Sequence, residues 1–291
     1  MQLADCHVGI DGLGLIGGSL AAALRRSGRA RSVRGWDSDP ETLAFAHGEG
    51  MIDEAASSMD ELAMGSDLLI LAVPLGQVEH AARQAHSAAG GSLRAVMDVG
   101  SAKAVVAERL VPLFGSRYLG FHPMAGRENG GVKNATPELF VDATCALVPG
   151  TGTSPEVIAL GRELATALGA ETLLLDPLEH DRITACTSHA PMLVAMALCL
   201  AAEGLMGTYP NLPLMAAGGF RDSTRPASNP PWLAADIWGE NRDAVSSVVD
   251  RLVARLNDMK KMSPGEMKAL AERAKAARET ILSQGPRRWK S

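Results

Sequence analysis

The sequence lacks any metal-binding signature. Its four cysteines, Cys6, Cys145, Cys186 and Cys199, are scattered with no Cys-x-x-Cys pair, and its seven histidines include no His-Glu-x-x-His. Neither a zinc module nor a metal-dependent hydrolase is indicated, and the cysteines, in apolar surroundings, read as reduced core residues. An excess of basic charge is missing too. Lys and Arg number 28 against 33 Asp and Glu, a net charge of −5 with a pI near 5.8, which argues against a nucleic-acid partner. Nowhere do about 18 uncharged apolar residues follow one another, and residues 1–7 carry no positive segment ahead of an apolar run. These absences predict a cytoplasmic protein with no membrane partner. The basic cluster Arg287, Arg288 and Lys290 reads as a solvated tail.

What is present is ordinary for a soluble globular protein: 291 residues, 46% hydrophobic and 21% charged, enough for about two domains. Residues 6–10 read as a short apolar strand, followed by Gly12-Leu13-Gly14-Leu15-Ile16-Gly17 and a helical run ending at Gly28. In a strand, glycine turn and helix, the first glycine permits the tight turn and the second lets backbone approach a pyrophosphate. The third lets helix pack on strand, while the helix N-terminus offers free N–H groups to phosphates. A second strand, 32–36, ends at Asp37, about 20 residues past the third glycine, where an acid accepts hydrogen bonds from the adenosine ribose. That favours NAD, with NADP less favoured because a carboxylate repels its 2′-phosphate. Asp39 before Pro40 supplies the next helix cap, so Asp37 is not needed for that role.

The near-continuous apolar run 68–73 predicts a parallel strand covered on both faces, stopping at Pro74; Val73 and Pro74 then line the cofactor. A further strand, 93–99, ends in Asp98-Val99-Gly100-Ser101-Ala102-Lys103. Ser101 reads as the start of a helix at a strand's carboxyl end, as N-cap, ligand contact or both. Lys103 reads as a surface residue or one supporting the site from behind. Gly120-Phe121-His122-Pro123-Met124-Ala125-Gly126 places a histidine where an apolar strand gives way to a turn bounded by Pro and Gly. A neutral imidazole there can accept a proton near neutrality, or it can simply cap the strand. Ligands in open parallel sheets bind outside the strands' carboxyl ends, so Ser101 and His122 are expected to face one cleft.

Strands at 144–148 and 171–175 flank an amphipathic helix, 155–168, after which the alternation is lost. From Pro177 the pattern is helical: 179–206 is long and apolar, 243–259 amphipathic, 264–282 rich in Ala, Glu, Lys and Arg. The expected class is α/β, with a dinucleotide-binding domain over 1–176 and an all-helical domain over 177–291. The apolar helix around 191–200 has too little polar surface to lie exposed, which points to a homodimer sharing a helical core.

These motifs, with His180-Asp181, Ser188-His189-Ala190-Pro191 and Gly218-Gly219-Phe220-Arg221-Asp222-Ser223-Thr224-Arg225, resemble those of prephenate dehydrogenases and the related arogenate and cyclohexadienyl dehydrogenases of tyrosine biosynthesis. The resemblance spans both predicted domains in order. It implies a Rossmann-type doubly wound sheet, a small-molecule substrate and NAD-dependent oxidative decarboxylation. His122 would take the proton of the ring hydroxyl, with Ser101 beside it and the nicotinamide. Arg225 would grip a substrate carboxylate in a bidentate fork, Gly219 and His189 would adjoin the substrate, and Glu128 and Asp222 would join Arg225 in an ionic network. Trp232 would cover the pocket from the other subunit. One position departs: many prephenate-using relatives carry a second histidine where this chain has Met192, and a thioether cannot act as a donor. Arogenate therefore becomes a serious candidate. The few residues after the last helix leave no space for an appended regulatory module, so tyrosine control would fall on the active site or dimer interface. The competing readings are a β-hydroxyacid dehydrogenase or imine reductase, and a dinucleotide sensor without chemistry.

Overall fold

The computed structural model of the protein describes residues 1–127 and 129–286; Glu128 and the basic tail lie outside them. Strand β1 (His7–Asp11) sends Val8 and Ile10 into one core and turns at Gly12. The φ of Gly12 is +87°, and an added Cβ would come within 2.7 Å of the Ala72 carbonyl oxygen, so only glycine fits. Helix α1 (Leu15–Ser27) follows, ended by Gly28 in the left-handed conformation. Strand β2 (Ser32–Trp36) leads to α2 (Pro40–Gly48), where Asp39 accepts from the Glu41 and Thr42 N–H groups as the Asp-Pro pair predicts.

The pattern continues through β3 (Glu54–Ala55), α3 (Met59–Met64), β4 (Leu68–Leu71), α4 (Val78–Ala89), β5 (Ala95–Asp98), α5 (Ala104–Phe114) and β6 (Tyr118–Pro123). All four residues of β4 are buried, which requires cover on both faces of the sheet. The six strands are parallel in the order β3-β2-β1-β4-β5-β6. The winding reverses between β1 and β4, and in open parallel sheets such a switch point is where ligands bind, outside the carboxyl ends.

Two more strands extend the sheet, and here it stops being parallel. Among the described residues from 124 to 143 the one helical element is a 3-10 turn, Val132–Asn134, and with no crossover helix among them β7 (Thr144–Pro149) returns antiparallel to β6. Helix α6 (Pro155–Ala167), capped by Ser154, restores a crossover, and β8 (Glu171–Leu174) lies parallel to β7.

Asp176 caps α7 (Pro177–Thr184), which passes through one π-helical turn, Ala185–His189, into α8 (Ala190–Met206). The sequence pattern shows one helix here; the widened turn interrupts it. By length and composition alone this rod could span a bilayer, but His180, Asp181, Thr184 and His189 on it are buried. Then come α9 (Leu212–Met215), α10 (Gly218–Thr224), α11 (Pro231–Glu240), α12 (Arg242–Met259) and α13 (Pro264–Ser283). The short helices α9 to α11 belong to the expected helical region, but proline and glycine break their periodicity, so the sequence pattern does not mark their bounds. Asp236 of α11 accepts from the Gly76 N–H, and Arg109 of α5 donates to Glu240, so the helices dock on the sheet region.

The cysteine expectation needs correction. Cys6 and Cys145 are buried, but Cys186 is exposed and Cys199 half-buried, because the outer face of the α7–α8 rod is uncovered within one chain. On α8 and α9, Leu200 is 63% and Met215 83% exposed.

Close packing gives a direct test. A Cβ on Gly17 would lie 1.8 Å from the Gly12 carbonyl oxygen, so Gly17→Ala is expected to destabilise by about 1–3 kcal/mol or more. Urea or thermal unfolding would measure it, and an unchanged midpoint would show that helix and strand do not meet so closely.

Candidate active site

Strand alternation puts Tyr118, Gly120 and His122 of β6 on the face opposite Leu119 and Phe121. Each of the three has a counterpart. Tyr118 Oη donates to Asp98 Oδ2 at 2.8 Å. Gly120 leaves room for Lys103, since an added Cβ would stand 2.7 Å from Lys103 Cδ. His122 Nδ1 lies 2.8 Å from His180 Nε2.

Lys103 is fully buried, which rules out the surface alternative and leaves the one in which it supports the site from behind. Its ammonium donates to Asp98 Oδ1 at 2.5 Å, to the Gly100 carbonyl at 2.6 Å and to the Asp98 carbonyl at 3.2 Å. It thereby ties down the bend that carries Ser101. Ser101 itself is half-buried and does not start the helix, a second correction: α5 begins at Ala104 with no side-chain cap from its own flank. Asp181 of α7 does that work instead, accepting from Lys103 N at 2.7 Å (Oδ1) and Ala104 N at 2.9 Å (Oδ2). The free N–H groups of a helix start favour an anion, wherever in the chain it comes from.

Asp181 Oδ1 also lies 2.7 Å from His180 Nδ1. A carboxylate only accepts, so His180 donates from Nδ1, and in the tautomer that this fixes its Nε2 is the acceptor. His122 must then donate from Nδ1, which leaves the lone pair on its Nε2. Burial holds the His122 imidazole well below the usual histidine range, with His180, Lys103 and His189 adding to the effect. The ring is thus an uncharged base with one nitrogen committed and the other available. The His180-Asp181 motif of the resemblance left His180 either supporting the site or packed in the core, and the contacts place it behind His122.

His189, buried in the π-helical turn, accepts at Nδ1 from Asn241 Nδ2 at 3.1 Å, and Asn241 also donates to the Asp181 carbonyl. Its Nε2 is buried with no partner among the described residues. Burial brings its pKa down to about 4. Met192 is buried in a small apolar cluster with Ala185, Ile237 and Val245. Gly219 on α10 and Arg225 at the start of a 3-10 turn, Arg225–Ser228, are exposed, outside the His122–His180–Asp181 chain. Asp222 pairs with Arg221, and Trp232 is 51% exposed on α11.

The glycine turn suits a dinucleotide. The first turn of α1 receives no side-chain cap, and a Cβ on Gly14 would meet nothing within 4 Å, so phosphates have both free N–H groups and space. Leu15 and Ile16 open the helix, and Val73 and Pro74 lie half-buried after β4. Asp37 sits at the end of β2 with Oδ2 accepting from Leu13 N at 2.7 Å and Oδ1 from Asp39 N at 2.9 Å. Its carboxylate is thereby fixed against the loop.

Comparison with known proteins places these features in context. Residues 20–174 match the family model described as prephenate dehydrogenase, nucleotide-binding domain, and 176–275 match prephenate dehydrogenase, dimerization domain. The chain is 33% identical over 254 residues to prephenate dehydrogenase of Bacillus subtilis, covering 86% of this chain and 68% of that one. A solved prephenate dehydrogenase from A. aeolicus, in complex with hydroxyphenyl propionate and NAD+, superimposes with TM-score 0.85 at 28% identity, over 97% and 98% of the two chains. Arogenate dehydrogenase of Synechocystis gives TM-score 0.81 at 28% identity, over 95% and 100%.

His122 and His189, whose pKa values burial lowers, make stability depend on pH. In the unfolded chain each titrates near its ordinary value, so below about pH 6.5 the unfolded state binds more protons. Stability is complete above that pH and is lost as pH falls, with the His189 share amounting to about 3 kcal/mol by the time pH reaches about 4. Urea midpoints taken at about pH 7.5, 6 and 5 should decline in that order; equal midpoints would contradict the neutral burial of these rings.

Proposed function

The chain belongs to the prephenate dehydrogenase family, and on that footing we propose how its own residues carry out NAD-dependent oxidative decarboxylation of prephenate or arogenate. The observation that carries the proposal is the hydrogen-bond chain that leaves His122 with an unprotonated Nε2. This nitrogen accepts the proton of the ring hydroxyl. The imidazolium so formed passes its Nδ1–H toward His180, and Asp181 offsets the charge from behind. NAD, when bound, supplies the acceptor for the hydride of the carbon that bears that hydroxyl. The ring carboxylate leaves as carbon dioxide, its bonding electrons complete the aromatic ring, and the proton held by His122 returns to the ring oxygen to give the phenol.

Ser101, presented by the bend that Lys103 anchors, hydrogen-bonds near the same hydroxyl and the nicotinamide. His189 offers Nε2–H as a buried donor to the substrate, with Gly219 lining its path, and Arg225 binds a substrate carboxylate. Gly12, Leu13, Gly14, Leu15, Ile16 and Gly17 receive the pyrophosphate, Asp37 the ribose, and Val73 and Pro74 the wall beside it. Residues 1–176 form the dinucleotide-binding domain and 177–291 the substrate and dimerisation domain. A homodimer through the helices is supported by the uncovered apolar surface of α8 and by the match to a dimerization domain. A cytoplasmic setting without nucleic-acid or membrane partners belongs to the same proposal, and four free thiols are compatible with it.

Since Met192 lies in an apolar cluster, no imidazole at that position selects the pyruvyl side chain, and both acids are expected to react. Purified protein with NAD and either acid, followed by the absorbance of reduced nicotinamide, tests this; no turnover with either would overturn the proposal. His122→Asn should abolish most turnover while leaving NAD affinity nearly intact, and equal losses in both would point to a folding role instead. Arg225→Ala should chiefly raise KM, and an unchanged KM would remove it from the carboxylate site.

A further inference from the structure

Asp11, the last residue of β1, is used by nothing described so far. It is 1% exposed, and neither carboxyl oxygen has a hydrogen-bond partner among the described residues. The other two buried aspartates, Asp98 and Asp181, have donors on both oxygens. A buried carboxyl with no donor is costly unless it is neutral or a ligand supplies the donor.

Its position says which ligand. Strand alternation turns Asp11 away from Val8 and Ile10. In the sheet it lies between Trp36 of β2 and Leu71 of β4, immediately before the Gly12 turn. That is the crevice at the switch point, where a dinucleotide crosses the strand ends. Asp37 stands near enough for its charge to act on Asp11, and the oxygens of Asp37 already accept from Leu13 N and Asp39 N.

We propose that Asp11 is a second acidic contact for the adenosine-side hydroxyl groups of the bound dinucleotide, acting beside Asp37 to select NAD over NADP. This rests on the NAD-binding function given above. A ribose hydroxyl donates to the carboxylate, whereas a 2′-phosphate meets two acids and offers its negative oxygens. Burial first, and then the Asp37 charge, push the Asp11 carboxyl up to about 7. The donor favours the ionised form, so NAD binding releases a proton near neutrality and tightens as pH rises.

Other charges around β1 are engaged elsewhere. Arg34 of β2 pairs with Glu54 and with Glu61 of α3, and Asp60 of α3 accepts from Gln84. Arg25 and Arg26, at the far end of α1, pair with Asp53 and Glu138. Strand β4 has no titratable residue. Asp37 is the charge that acts on Asp11.

Calorimetric titration of the substrate-free protein with NAD, in two buffers of different ionisation enthalpy, tests the contact without turnover. The affinity of the unaltered protein should rise toward about tenfold between about pH 6 and about pH 8, with proton release near neutrality. In Asp11→Asn, or in Asp11→Ser should the first variant fail to fold, affinity should be flat and NADP should gain on NAD by several-fold. Binding of NAD that is independent of pH with no proton release, or release that persists in the variants, overturns the contact alone. Failure of NAD to bind at any pH would overturn both the contact and the function on which it rests.

Discussion

The carboxylate of Asp181 holds the site together. It comes from the first helix after the sheet, yet it receives the opening N–H groups of α5 and the Nδ1–H of His180. A helix start with unmet donors is a fixed positive end, so the anion it attracts has little freedom to move. Through that anchor the orientation of His180 is decided, and through His180 that of His122. The His122 ring is thus aimed by the N-terminus of a helix on the far side of the strand, and the helical region is joined to the sheet at that imidazole.

Charge is distributed to keep that base uncharged at rest. Lys103 is a full positive charge without solvent, tolerable because Asp98 and two carbonyls surround its ammonium. Replacing such a pair with apolar side chains is often neutral for stability, so its value here lies in what it positions. It pins the bend bearing Ser101, and its field opposes protonation of His122. Gly120 is part of the same arrangement, because any side chain there would expel the lysine stem.

The helical region carries a different constraint. Among the described residues α13 buries none of its side chains, and α8 buries only Ala190, Met192 and Ala195. An apolar concavity of about 670 Å³, lined in part by Leu198, Leu205, Tyr209, Met215 and Phe220, opens on this face. Apolar area of that extent is rarely left in water, and it lies on the segment matched to a dimerization domain.

Much of the first half was legible in the sequence. The glycine turn, the apolar run of β4, the Asp39 cap and the placement of Asp37 each follow from interactions between residues close along the chain, where steric limits on φ and the two-residue and 3.6-residue periods apply directly. His122 was found the same way, as a histidine at a strand end. What tertiary structure alone decided is how that histidine is held: its partner is 58 residues away and the cap of α5 comes from 78 residues away. The burial of Lys103, the antiparallel return of β7 and the orphaned carboxyl of Asp11 belong to the same class. Local propensity records what a residue does to its chain neighbours. Which charges lose their water, and which donors meet them, is determined only when distant segments pack against one another.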